Sequence, residues 1–133
     1  MLTLKRHLSV FSWALCALVA TTGFMAWGHG FNWQFSGLSA YDLFPLFGIL
    51  AFSIMWTHYI ISAKAKYLNV PSVVTKNYFK YTSLMVLVAI LLHPGILVWQ
   101  LWRDGFGLPP NSYLTNYVAA GSRWAALLGT FSW

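Results

Sequence analysis

Between Lys80 and Arg103 lie 22 residues, YTSLMVLVAILLHPGILVWQLW, in which the only strongly ionisable side chain is His93. A run of that length matches a bilayer-spanning helix, which needs about 20 apolar residues. The rest of the chain points the same way: 59% of its residues are hydrophobic and 8% are charged, against roughly 25% charged in a soluble domain. His93 is therefore placed at membrane depth. Polar side chains there cost free energy and are usually turned toward a protein interior, a partner or a cofactor.

Two more runs flank it. Residues 1–7 carry Lys5 and Arg6, and residues 8–27 hold no charge and end in Phe24-Met25-Ala26-Trp27. The run is longer than the roughly 7–15 residues of a secretory signal core, so we read a retained helix 1 at about 8–28. Cys16, the only cysteine, is read as a small hydrophobe in lipid or in a helix interface. The glycine- and aromatic-rich stretch 28–41 is read as an interfacial loop containing His29, either solvated or an accessory ligand or proton carrier. Helix 2 is placed at about 42–63, with Ser39 or Asp42 as N-cap and Pro45 in its first turn. A connection over 64–80 with four lysines and Pro71 leads through one turn of helix to helix 3, at about 78–102. Gly105, Gly107, Pro109 and Pro110 make 103–116 a loop, with Arg103 and Asp104 as a solvated helix end. An apolar segment interrupted by Arg123 begins a partial helix 4 at about 117–133. That segment is short for a span, so the chain is read as the front part of a longer domain, with an interfacial helix and a snorkelling Arg123 as the alternative.

The expected fold is thus an all-α integral membrane protein, a multi-span helical bundle forming one transmembrane domain over 1–133. Lys5, Arg6, Lys64, Lys66, Lys76 and Lys80, six of the eight basic residues, fall at one end of it. Positive loops face the cytoplasm, which predicts a multi-pass protein of the cell membrane with the N-terminus and the 64–80 loop inside. Cations spread over helix ends in this way do not form a nucleic-acid surface. The spans lack the Asp or Glu usual in a proton- or cation-coupled transporter.

His58 in helix 2 and His93 in helix 3 are the candidate cofactor ligands. Neutral imidazoles from facing helices commonly hold haem iron in a bundle. Six residues separate His58 from Lys64, and 13 separate His93 from Lys80. At 1.5 Å per residue the two lie about 9 Å and about 20 Å from the basic boundary, too different in depth to share one iron. The alternative is that each histidine donates a hydrogen bond to a neighbouring helix. Pro94 frees the carbonyl of Ile90 and Gly95 admits a close neighbour, which suits a cofactor pocket.

Leu91-Leu92-His93-Pro94, closing an apolar third helix behind a basic loop, resembles the ferric reductase-like transmembrane family. That family includes ferric reductases, NADPH oxidase cores and the haem-binding membrane subunit of the bacterial methionine sulfoxide reductase system. The resemblance covers helices 2 and 3 and their loops. It implies a membrane-embedded electron-transfer module, an oxidoreductase component, with b-type haem on His93. It also implies partner histidines on a fifth helix, which would lie beyond Trp133, and flavin only through a separate flavoprotein or other redox partner. Phe79 stands where two-haem members carry a further histidine, so His58 is offered as an inner ligand or proton-relay residue. No catalytic side chain is expected, because electron transfer needs mainly closely spaced, fixed cofactors. The alternatives are a structural or assembly membrane protein without cofactor, or a quinone- or lipid-binding subunit of a redox complex.

Overall fold

The computed structural model describes residues 2–109 and residue 112. Among these the fold is helical: α1 (Leu2–Gly30), α2 (Ala40–Tyr67), a short 3-10 turn (Ser72–Val74) and α3 (Lys76–Arg103). All three long helices are long and apolar enough to cross a membrane. The expected partial helix 4 at 117–133, with Arg123, lies outside the described residues.

Each helix outruns the apolar segment that announced it. α1 was expected from about residue 8 and starts at Leu2, α2 continues past residue 63 to Tyr67, and α3 begins at Lys76. The flanking sequences TLKRH and AKAKY contain Lys, Arg, Leu and Ala, which are good helix formers, so hydrogen bonding continues where hydropathy stops. At 28 and 29 residues the helices are about 42–44 Å long, enough to cross the hydrocarbon core and both headgroup layers.

Two local expectations are corrected. His29 lies in the last turn of α1 rather than in the loop. Pro45 lies in the second turn of α2, because Ser39 is the N-cap and the helix begins at Ala40; its missing N–H would have met the Tyr41 carbonyl. The start of α2 is fixed instead by Asp42, whose carboxylate accepts hydrogen bonds from the Ser39 N–H at 2.8 Å and the Ser39 hydroxyl at 2.7 Å. The one turn of helix expected before helix 3 is the 3-10 turn, and the polar connection is shorter than 64–80.

α2 lies between α1 and α3 and runs antiparallel to both. The buried positions form one stripe per helix at spacings of three, four and seven. They are Leu8, Ser12, Cys16, Gly23 and Trp27 in α1, Ala51, Ile54, Thr57 and Ile61 in α2, and Tyr78, Thr82, Val86 and Ala89 in α3, joined near the helix ends by Gly28, Gln100 and Leu101. Many are small or hydroxylated. Large apolar residues such as Leu18, Phe52, Leu84 and Leu87 point outward. That inversion of the soluble pattern suits a bilayer, where lipid is as apolar as Leu and close packing with interhelical hydrogen bonds drives association. Cys16 falls in the interface, within the cluster of Ile54, Ile61, Tyr78 and Val86.

The end opposite the lysines is closed by aromatic packing. Trp27 stacks on Phe35 with centroids 5.6 Å apart and donates its indole N–H to the Asp42 carbonyl at 2.8 Å. Trp33 turns back over Gly28, where a Cβ would come within 2.8 Å of its ring. At the same end Asp104 is not merely a solvated helix terminus. It accepts from the Tyr41 hydroxyl at 2.7 Å and from Gln100 Nε2 at 3.0 Å, with Arg103 Nε 3.5 Å away. These contacts latch the end of α3 to the start of α2.

The latch makes a pH prediction. Hydrogen bonds donated first by Tyr41 and then by Gln100, helped by the Arg103 charge, hold the Asp104 carboxyl below its ordinary value of 3.8. A carboxyl depressed in the folded state contributes stability that is present above its unfolded value and is lost as pH falls through the folded one. Acid unfolding curves between pH 5 and pH 2 should therefore show a drop in stability that is weaker in Asp104→Asn. Tyr41→Phe should bring the Asp104 titration back toward its ordinary position.

Candidate functional site

The α3 stripe continues from Ala89 by one step to His93, which carries the imidazole into the groove against α2. His93 Nδ1 lies 2.6 Å from the Phe44 carbonyl oxygen. A carbonyl only accepts, so Nδ1 carries the proton and donates. In the neutral ring Nε2 is then the unprotonated nitrogen, and it makes no hydrogen bond among the described residues. The absence of a side chain at Gly48 lets the ring come close to α2: a Cβ there would sit 2.8 Å from both Cε1 and Nδ1. The Phe44 ring, with its centroid 5.3 Å away, closes another side.

His58 is placed differently. Its Nε2 lies 2.7 Å from the Thr82 hydroxyl, and that hydroxyl donates to the Tyr78 carbonyl at 2.7 Å. With its only proton committed, the Thr82 oxygen accepts, so His58 is protonated on Nε2. Beside it, the Tyr78 hydroxyl bonds the Thr57 hydroxyl, which donates to the Ile54 carbonyl at 2.6 Å. Both chains of hydrogen bonds end on backbone carbonyls, which have no proton to pass on. The arrangement is an interhelical clasp centred on Tyr78, which is 1% exposed. Trp13 of α1 meets the Tyr78 ring edge-on at 5.4 Å, and His58 does so at 5.9 Å.

The two histidines are separated along the bundle as their sequence positions indicated. His58 is level with Thr82 and His93 with Phe44 and Gly48. The 11 residues from Thr82 to His93 span about 16 Å. The structure thus brings His58 together with Thr82, Tyr78 and Phe79, and His93 together with Phe44 and Gly48. It does not bring the histidines to each other. Among the described residues no three His, Cys, Asp or Glu side chains gather as metal ligands.

Sequence reasoning singled out the histidines but missed Tyr78, Thr82, Thr57 and Gly48. A signal was present: positions 78, 82, 86, 89 and 93 fall at helical spacing, which puts two hydroxyl-bearing residues on the face that carries His93. Gly48, a glycine inside a span, marks a place where a neighbour comes close.

Comparison of the chain with protein-family models, with curated proteins and with solved structures gives no match.

As a haem ligand set, the two sites differ. Metal-ligating histidines almost always donate their other ring N–H to a carbonyl, carboxylate or water, which fixes the tautomer and aims the free nitrogen. His93 has that arrangement, with Nδ1–H on the Phe44 carbonyl and Nε2 unengaged. His58 has the converse arrangement, donating Nε2–H to Thr82 and leaving as its unprotonated nitrogen Nδ1, the one beside the side-chain stem.

Proposed function

We propose that this chain is the membrane-embedded part of a b-type haem electron-transfer module, with His93 as an axial ligand through Nε2. The observation that supports the reading is the His93–Phe44 hydrogen bond. It selects the tautomer that leaves Nε2 basic, and with Gly48 it fixes the direction of the ring. A bound haem would supply a one-electron couple whose potential its axial ligand and surroundings tune. The task of the chain is then to hold one imidazole rigidly in a dry site. A second axial ligand would come from a helix beyond the described residues or from another subunit. In this reading the N-terminus and the lysine-rich connection face the cytoplasm, His93 serves the outer half of the membrane, and a flavoprotein or other redox partner delivers electrons. His58 clasps α2 to α3.

A second reading has its own support. Both histidines make an interhelical hydrogen bond, which is what a structural or assembly protein without cofactor would need. The two readings part on colour. A reduced-minus-oxidised absorbance spectrum of the full chain, purified in detergent from haem-replete cells, should show the Soret and α-band changes of b-type haem. A colourless protein would leave the structural reading.

A further inference from the structure

We propose that the lysine-bearing end of the bundle is a binding surface for the phosphate headgroups of anionic phospholipids. The inference is independent of haem. The sequence has eight Lys and Arg but only two acidic residues, and both acids lie at the opposite end. Asp42 is occupied by Ser39, and Asp104 by Tyr41, Gln100 and Arg103. Six cations, from Lys5 and Arg6 of α1 through Lys64, Lys66, Lys76 and Lys80, therefore share one end with no Asp or Glu side chain among them.

The local geometry shows what the cations find instead. Lys64 is half-buried, with Nζ 3.5 Å above the Phe11 ring, and Lys80 lies 5.8 Å over Tyr81. A ring face attracts an ammonium group without cancelling its charge, so the positive potential remains. The 3-10 turn packs against both α1 and α3 and so brings Lys76 close to the first turns of α1. Exposed Tyr67 and Tyr81 stand at the same level, where amphipathic rings favour the headgroup layer. Exposed Leu84 and Met85 begin the lipid-facing surface directly above. A ligand that fits all of this carries phosphate at the lysine level and acyl chains along the apolar face. That is a diacyl phospholipid with net negative charge, rather than a small anion.

The test uses the full chain in zwitterionic detergent, with thermal unfolding followed during titration with phosphatidylglycerol, phosphatidylcholine or free glycerol phosphate. Phosphatidylglycerol should raise the midpoint and bind at least about tenfold tighter than phosphatidylcholine. The preference should fall in 0.5 M salt, which screens surface charge. It should also be lost in the Lys64→Gln, Lys76→Gln, Lys80→Gln triple variant, retained when the same three become Arg, and unaffected by Arg103→Gln. Equal effects of the two lipids, a preference that survives salt, or an equal shift with glycerol phosphate would overturn the proposal. The salt arm reads the wild-type chain and stands even if the triple variant does not fold.

Discussion

Tyr78→Ala is expected to cost about 3–5 kcal/mol of stability, the range for emptying a buried aromatic site, and to loosen all three helices at once. Tyr78 is the residue on which they converge. Its ring meets Trp13 of α1, His58 of α2 and Phe79 of α3, and its hydroxyl bonds Thr57. Helices in lipid gain little from burying apolar surface against one another, since lipid solvates it equally well. What a cavity removes is contact and hydrogen bonding. Tyr78→Phe separates these contributions, because it keeps the ring and removes the hydroxyl. Interhelical hydrogen bonds in membrane proteins average about 0.6 kcal/mol, so the Phe variant should lose less than a third of the Ala effect. Unfolding in mixed micelles measures both, and an Ala variant no weaker than the Phe variant would remove Tyr78 from the centre of the packing.

Gly48→Ala is the other large effect, and here the sign is informative. Helix propensity alone predicts that alanine stabilises the helix by about 0.5–1 kcal/mol. At this position the new methyl group would stand 2.8 Å from two atoms of the His93 ring, and overpacking of that kind costs about 1–3 kcal/mol. The ring cannot swing away without giving up its bond to the Phe44 carbonyl. The variant should therefore be destabilised despite its better propensity, with His93 losing its fixed tautomer in nitrogen NMR spectra. Gly95→Ala is the control. A Cβ at Gly95 meets nothing within 4 Å, so this change should be neutral or slightly stabilising.

Much of the fold was legible in the sequence because charge is so sparse. Three long uncharged runs, each with lysine or arginine at one end at least, leave little choice but three long helices, and Arg103 marks the end of α3 while its start at Lys76 lies one turn before Lys80. Helix ends were less legible, since TLKRH and AKAKY are polar yet helix-forming and hydropathy reports only the apolar part. That His58 and His93 lie at different depths could be counted directly, but by how much could not. Their partners could not be. Which carbonyl meets Nδ1, and which hydroxyl takes Nε2–H, depends on how α2 and α3 are rotated against each other, and Gly48 and Thr82 set that rotation only once the helices pack. Asp104 does end α3 at an exposed position, but its main partner was illegible for the same reason, because Tyr41 lies 63 residues away in sequence.

The central claim is that the two histidines divide their roles, His93 offering a ligand nitrogen and His58 clasping two helices. The most direct measurement compares reduced-minus-oxidised spectra of the wild-type chain, His93→Ala and His58→Ala, purified identically and normalised to folded protein. The account predicts a b-type haem signal that disappears in His93→Ala and persists in His58→Ala, the latter protein being less stable but still coloured. A signal lost with His58 and kept without His93, or absent from the wild-type chain, would contradict it.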